Sequence, residues 1–182
     1  MSVRNKIYLP EQTYFITFTI LGWRKIFVND HLAGLVYKWF DYLRTTYDNQ
    51  ILGYVIMPNH VHCLLKTSAK SPGLPILVMN AKRFLAYEII DYLKQVRDKK
   101  TLDYFAWYAR VQDRAQHKVF TDGYASLIIQ SEKMFLQKLN YIHKNPCQEK
   151  WQLAKSPEEY RYSSAANYTY GHGYYEVSLV DF

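Results

Sequence analysis

Two histidines separated by a single residue, His60-Val61-His62, stand inside an apolar run that reads as a β-strand. Side chains alternate along a strand, so both imidazoles leave one face while Val61 leaves the other, and two neutral ring nitrogens there can grip one divalent cation. The pair also suits two structural histidines, and a motif this short does not choose between them. A second constellation lies further along the chain. Tyr141 and Asn145 are four apart in a segment with helical spacing, so a phenol and an amide carbonyl share one helical face. A phenol is a weak nucleophile at its ordinary pKa of about 10, so a metal ion or a base has to assist it. Attack on a phosphodiester would leave a covalent phosphotyrosine. Tyr141 alone is also compatible with simple packing, and His143, two residues on, faces elsewhere on an ideal helix and reads as structural.

The elements that must hold these groups follow from the hydrophobic pattern. Tyr14 to Ile20 alternates aromatic or β-branched residues with Thr, a strand signature. Asp30 stands as the N-cap of an amphipathic helix over about 31–47, with Leu32, Leu35, Val36, Trp39 and Leu43 on one side. Ile51–Met57 and His60–Lys66 read as a hairpin around the Pro58-Asn59 turn. After a loop at 71–75, Met79, Phe84, Ala86, Ile89, Ile90 and Leu93 give helical spacing to about residue 97. Residues 98–117 show no clean period and read as an extended connection, while 118–120 and 124–129 look like strand material around Asp122-Gly123. Ser131 caps a last long helix lined by Phe135, Leu136, Leu139 and Ile142, which Asn145-Pro146 ends. The tail from 147 offers a Pro157-started turn of helix and Tyr-rich irregular sequence. The order strand, helix, strand, strand, helix, strand, helix predicts an α+β, ferredoxin-like sandwich in a single domain over 1–182, its antiparallel sheet carrying helices on one face and a tyrosine-bearing C-terminal helix.

Composition narrows the partners. The chain has 182 residues and a net charge of +7, with 49% hydrophobic residues, enough for a proper core. The basic excess falls in residues 1–100, which hold 14 basic and 7 acidic side chains against 9 of each in 101–182. Such a surface suits an acidic polymer through counterion release, although a merely soluble basic face has the same count. The 18 Tyr suit a half-wet surface able to stack on bases, as well as ordinary packing. Cys63 and Cys147 have neither metal-ligand spacing nor disulfide density, and there is no 18-residue apolar run or signal-like start. The expectation is a cytoplasmic protein with no membrane partner.

The segments Tyr54-Val55-Ile56-Met57-Pro58-Asn59-His60-Val61-His62-Cys63-Leu64-Leu65 and Leu139-Asn140-Tyr141-Ile142-His143-Lys144-Asn145-Pro146 resemble those of the REP-associated tyrosine transposases, relatives of the HUH single-strand DNA transposases. Further echoes are Thr17-Phe18-Thr19 with Trp23, Lys82-Arg83-Phe84, and Glu159-Tyr160-Arg161-Tyr162-Ser163-Ser164-Ala165, so the similarity spans about residues 7–168. The resemblance implies a metal-dependent transposase that cleaves and rejoins hairpin-bearing single-stranded DNA. His60 and His62 would bind Mg²⁺ or Mn²⁺, Asn145 would stand at the polar helix ligand, and Tyr141 would be the nucleophile of a 5′-phosphotyrosine intermediate. Asn rather than Gln at position 145 leans toward the REP-associated branch.

The chain departs from that pattern where many REP-associated members carry Trp-Gln and Asp-His-x-Ile-Arg-like residues, for here it reads Arg114-Ala115-Gln116-His117-Lys118-Val119-Phe120. That loosens any link to a particular hairpin. Arg24 and Lys25 in the first turn and Lys82 and Arg83 in the second long helix are candidates for DNA contact, since such cations can track a phosphate backbone. They equally suit a solvated surface. Two other functions share these residues: a domesticated hairpin-binding module without turnover, and a nickase of the replication-initiator kind. The resemblance admits both a homodimer and a monomer.

Overall fold

The computed structural model describes residues 8–112 and 116–180. Residue 7, where the resemblance begins, and residues 113–115 of the expected connection lie outside them. Among the described residues four strands, β1 (Thr13–Thr19), β2 (Gln50–Met57), β3 (His60–Lys66) and β4 (Ala125–Ile128), form one antiparallel sheet in the order β2-β3-β1-β4. Helix α1 (Asp30–Tyr47) joins β1 to β2, and α2 (Leu74–Gln95) with α3 (Lys99–Gln112) joins β3 to β4. This is the split βαβ arrangement the element order predicts. Helices α4 (Glu132–Lys144) and α5 (Ala165–Tyr170) follow.

The central strands are apolar on both faces, so each face needs a cover. On one side Ile16, Phe18, Tyr54, Ile56, Val61 and Cys63 pack with Leu35, Val36 and Trp39 of α1 and Val78, Ala81 and Leu85 of α2. On the other, Phe15, Leu52, Val55, Met57 and Leu64 pack with Phe135, Leu139 and Ile142 of α4. The α+β class therefore stands, and α1 and α2 share a face as expected, but α4 lies on the opposite face. Alternation that is invisible in an all-apolar strand does not announce a second covered face. A bulge in β2 at Leu52 turns Gly53 toward α4, where an added Cβ would come within 2.8 Å of Leu139 Cδ1. The missing side chain lets the helix settle onto the sheet.

Three local expectations are corrected. The N-cap of α1 is Asn29, whose Oδ1 accepts from Leu32 N at 3.0 Å, while Asp30 pairs with Arg161 at 2.9 Å and accepts from Tyr162 Oη. Residues 98–112 are a capped helix rather than an extended connection: Asp98 accepts from Thr101 N, and Thr101, Phe105 and Ala109 bury a stripe one residue wide. Residues 118–120 are not a strand; Phe120 makes an isolated bridge with Ile20.

Candidate functional site

The register sets the two imidazoles in the middle of the sheet. His62 lies between Thr17 and Val55, and His60 between Thr19 and Met57, all on the face that α4 covers. Their ring centroids are 4.6 Å apart, and Phe15 stacks on His62 at 5.3 Å. Each Nδ1 is committed. His60 Nδ1 donates to Asn59 Oδ1 at 2.6 Å, an orientation supported by Asn59 Nδ2 donating to the Trp23 carbonyl. His62 Nδ1 lies 2.6 Å from Thr17 Oγ1. Asn59 Oδ1 can only accept, so His60 Nε2 carries the lone pair; a His62 ring that donates from Nδ1 to the Thr17 hydroxyl has its lone pair on Nε2 as well, and that Nε2 is buried without a hydrogen-bond partner among the described residues. Burial first, then Lys150, pushes the His60 pKa down to about 4. Burial, aided by His60, Lys138 and Lys150, takes His62 down to about 3. Both rings are neutral, ligand-competent imidazoles at neutral pH.

Ser131 caps α4 by accepting from Met134 N, as its sequence predicts. The helix runs against β3, with Phe135 in a groove beside Thr13 and Leu52, and with Tyr141 next to His62 at a ring separation of 5.3 Å. Tyr141 is 45% exposed, so the residue is accessible from solvent. His143, on the sheet side, hydrogen-bonds Ser164 Oγ at 2.9 Å, and that hydroxyl in turn accepts from Tyr54 N. The structural reading of His143 fits this clasp, which ties α4 to β2. Asn145, the C-cap of α4, is 2% exposed and its Oδ1 has no partner among the described residues. It stands one turn beyond Tyr141, toward the His60 end of β3. Among the described residues no group of three or more His, Cys, Asp or Glu is gathered for a metal. A cation here would be held by two neutral nitrogens and an amide oxygen, and the two orphaned buried acceptors fit such a role.

Of the four cations singled out for DNA, Arg24 and Lys25 follow Trp23, whose ring lies 6.2 Å from His60, but they themselves line a groove with Tyr92 of α2, its C-cap Val96 and Thr101 of α3. Lys25 is exposed, whereas Arg24 lies 3.8 Å over the Tyr104 ring. Lys82 is occupied by its own chain, donating to the Thr121 and Gly123 carbonyls at 2.6 and 2.8 Å. Arg83 is exposed with Lys38 and Tyr87 in a groove between α1 and α2, across the sheet from the histidines. Sequence reasoning missed Lys138, whose ammonium lies 5.2 Å from the Phe15 ring and 5.8 Å from the Tyr141 ring. Its spacing three residues before Tyr141 was the available signal. It also missed Trp151, 5.9 Å from the His60 ring, for which no local pattern existed. Both cysteines are free thiols, and no described helix is long and apolar enough to cross a membrane.

The fold is that of the tyrosine transposases. The chain is similar over 100% of its length, and 95% of the other's, to a solved REP-associated tyrosine transposase bound to a REP hairpin, with a TM-score of 0.63 and 15% identity. A protein of Deinococcus radiodurans R1 described as a transposase aligns with 79% of this chain and 97% of its own, at a TM-score of 0.47 and 18% identity. No family model matches the sequence, and no curated protein does.

Proposed function

We propose that this chain is a metal-dependent tyrosine transposase that cleaves and rejoins hairpin-bearing single-stranded DNA. The observation that carries the reading is the 5.3 Å approach of the exposed Tyr141 ring to His62, whose buried Nε2, like Asn145 Oδ1, has no hydrogen-bond partner among the described residues. The similarity in fold to a transposase bound to a hairpin supports DNA as the partner. A divalent ion such as Mg²⁺ or Mn²⁺, held by His60, His62 and Asn145, would supply Lewis-acid charge to a phosphate oxygen.

The chain's own groups do the rest. Tyr141 Oη attacks the scissile phosphorus, the P–Oη bond forms and the P–O3′ bond breaks. The phenolic proton passes to solvent, and the departing oxygen takes one up as a free 3′-hydroxyl. A 3′-hydroxyl from another strand reverses the step, so joining needs no external energy source. Lys138, beside Tyr141 and Phe15, places positive charge where the phosphate must approach. Incubation with a labelled hairpin-ended oligonucleotide and Mn²⁺ tests the reading. A covalent protein–DNA adduct that disappears in Tyr141→Phe is expected; no adduct, or one that survives this substitution, overturns it. Transfer of the bound strand to a second oligonucleotide separates a transposase from a hydrolytic nickase.

A further inference from the structure

Trp23 is held in a conformation that core packing does not explain. It is 64% exposed, yet its backbone is left-handed at φ +56°, directly after Gly22 at φ +62°. Non-glycine residues rarely adopt this region, and they persist there only when their surroundings enforce it. Those surroundings are visible. Trp23 N donates to the Ile20 carbonyl at 3.1 Å, Leu21 N to the Val119 carbonyl at 2.8 Å, and the Trp23 carbonyl accepts from Asn59 Nδ2 at 3.3 Å. Tyr104 closes off the Gly22 side, where an added Cβ would lie 2.0 Å from its hydroxyl, and Arg24 stacks on the same ring.

The result is a large indole fixed in solvent by a rigid turn. It stands 6.2 Å from the His60 ring, and the Asn59 side chain that holds it also orients His60. Trp151 approaches His60 at 5.9 Å, and its buried Nε1 has no partner among the described residues. We propose that Trp23 is a stacking platform for an unpaired base adjoining the phosphate held at His60 and His62. An exposed π surface binds bases of any identity, and the exposed Lys25, two residues after Trp23, and Lys150, which precedes Trp151 and whose charge bears on His60, favour a nucleic-acid strand over an apolar peptide. The turn thus sets which backbone linkage lies beside Tyr141. This inference rests on the function proposed above.

The test uses binding alone. Tyr141→Phe protein in EDTA is titrated, by fluorescence anisotropy, into a labelled hairpin oligonucleotide with unpaired flanks and into versions lacking one flank base at a time. Adding Trp23→Ala is expected to weaken binding about ten-fold, with Trp23→Phe retaining most of the affinity. One abasic position should reproduce the loss in the parent and cause no further loss in the Trp23→Ala protein. Equal affinity of parent and Trp23→Ala protein, or abasic losses that are the same in both at every position, overturns the platform. Should Trp23→Ala not fold, Trp23→Leu, which keeps bulk without the π face, carries the same expectations. No binding by the parent overturns the DNA partner and the platform together, whereas binding indifferent to Trp23 overturns only the platform.

Discussion

A metal ligand is as good as the group behind it. On the proposed function, Asn59 and Thr17 engage Nδ1 of His60 and His62, which leaves Nε2 of each ring as the nitrogen that would coordinate. Thr17→Val keeps the shape of residue 17 and removes its hydroxyl, which frees His62 to rotate or change tautomer. Calorimetric titration with Mn²⁺ is expected to show about 10- to 100-fold weaker binding in a protein that still folds; an unchanged affinity would refute the role given to Thr17. The adjacent histidines were readable from strand alternation, but their partners were not. Thr17 reaches His62 only through strand pairing across 45 residues of chain. The same limit explains Lys82, whose type and neighbours suggested a DNA contact while its ammonium clasps two carbonyls 39 and 41 residues away. Lys82→Met should lower the unfolding free energy by about 1–3 kcal/mol, measured in urea, because both carbonyls lose their donor. The salt dependence of oligonucleotide binding should stay as it was.

Elements were legible where apolar and polar residues recur with a period and illegible where they do not. Helix α1 shows a broad apolar stripe, and β1 is covered on both faces yet carries Thr17 and Thr19 between its buried apolar residues, so both could be read directly. Among its described side chains, helix α3 buries Thr101, Phe105 and Ala109 in line, with a polar residue at one end and charged or aromatic residues between, and no periodic signal survives. The placement of α4 was hidden for the opposite reason, since β2 is apolar throughout its buried length. What allows the helix so close is Gly53. Gly53→Ala sets a Cβ against Leu139 Cδ1 and is expected to cost about 1–3 kcal/mol in urea unfolding. Because the tightest approach is to Leu139, with Ile142 Cδ1 further off at 3.3 Å, the cost in a Leu139→Ala background should be smaller than in the native background. Equal costs in the two backgrounds would mean that Gly53 is needed for some reason other than the approach of α4.

At the scale of the molecule, the site face combines polar chemistry with deep burial, and this ties stability to pH. Sheet edge β2 is closed by the tail, through Ile56 N to the Tyr162 carbonyl, Ser164 N to the Tyr54 carbonyl and Ser178 N to the Ile51 carbonyl. Helix α4 covers the face beside it, so His60, His62 and His143 are only 7%, 5% and 9% exposed. Burial holds their folded-state pKa values down to about 4, 3 and 4, below the 6.5 of an unfolded chain. Above pH 6.5 the three rings are neutral in both states and their contribution to stability is fully present. As the pH falls from 6.5 toward 4, the unfolded chain takes up protons that the folded one refuses, so stability drains away across this window. His143 alone corresponds to a loss on the order of 3 kcal/mol. In metal-free protein, urea unfolding repeated at steps from pH 7 to pH 4.5 should show this decline. His143→Gln, which keeps a polar group facing Ser164 but cannot titrate, should flatten part of it. A stability that stays level down to pH 5 would show that water reaches these imidazoles, and the closed, low-dielectric face on which the proposed chemistry depends would not exist.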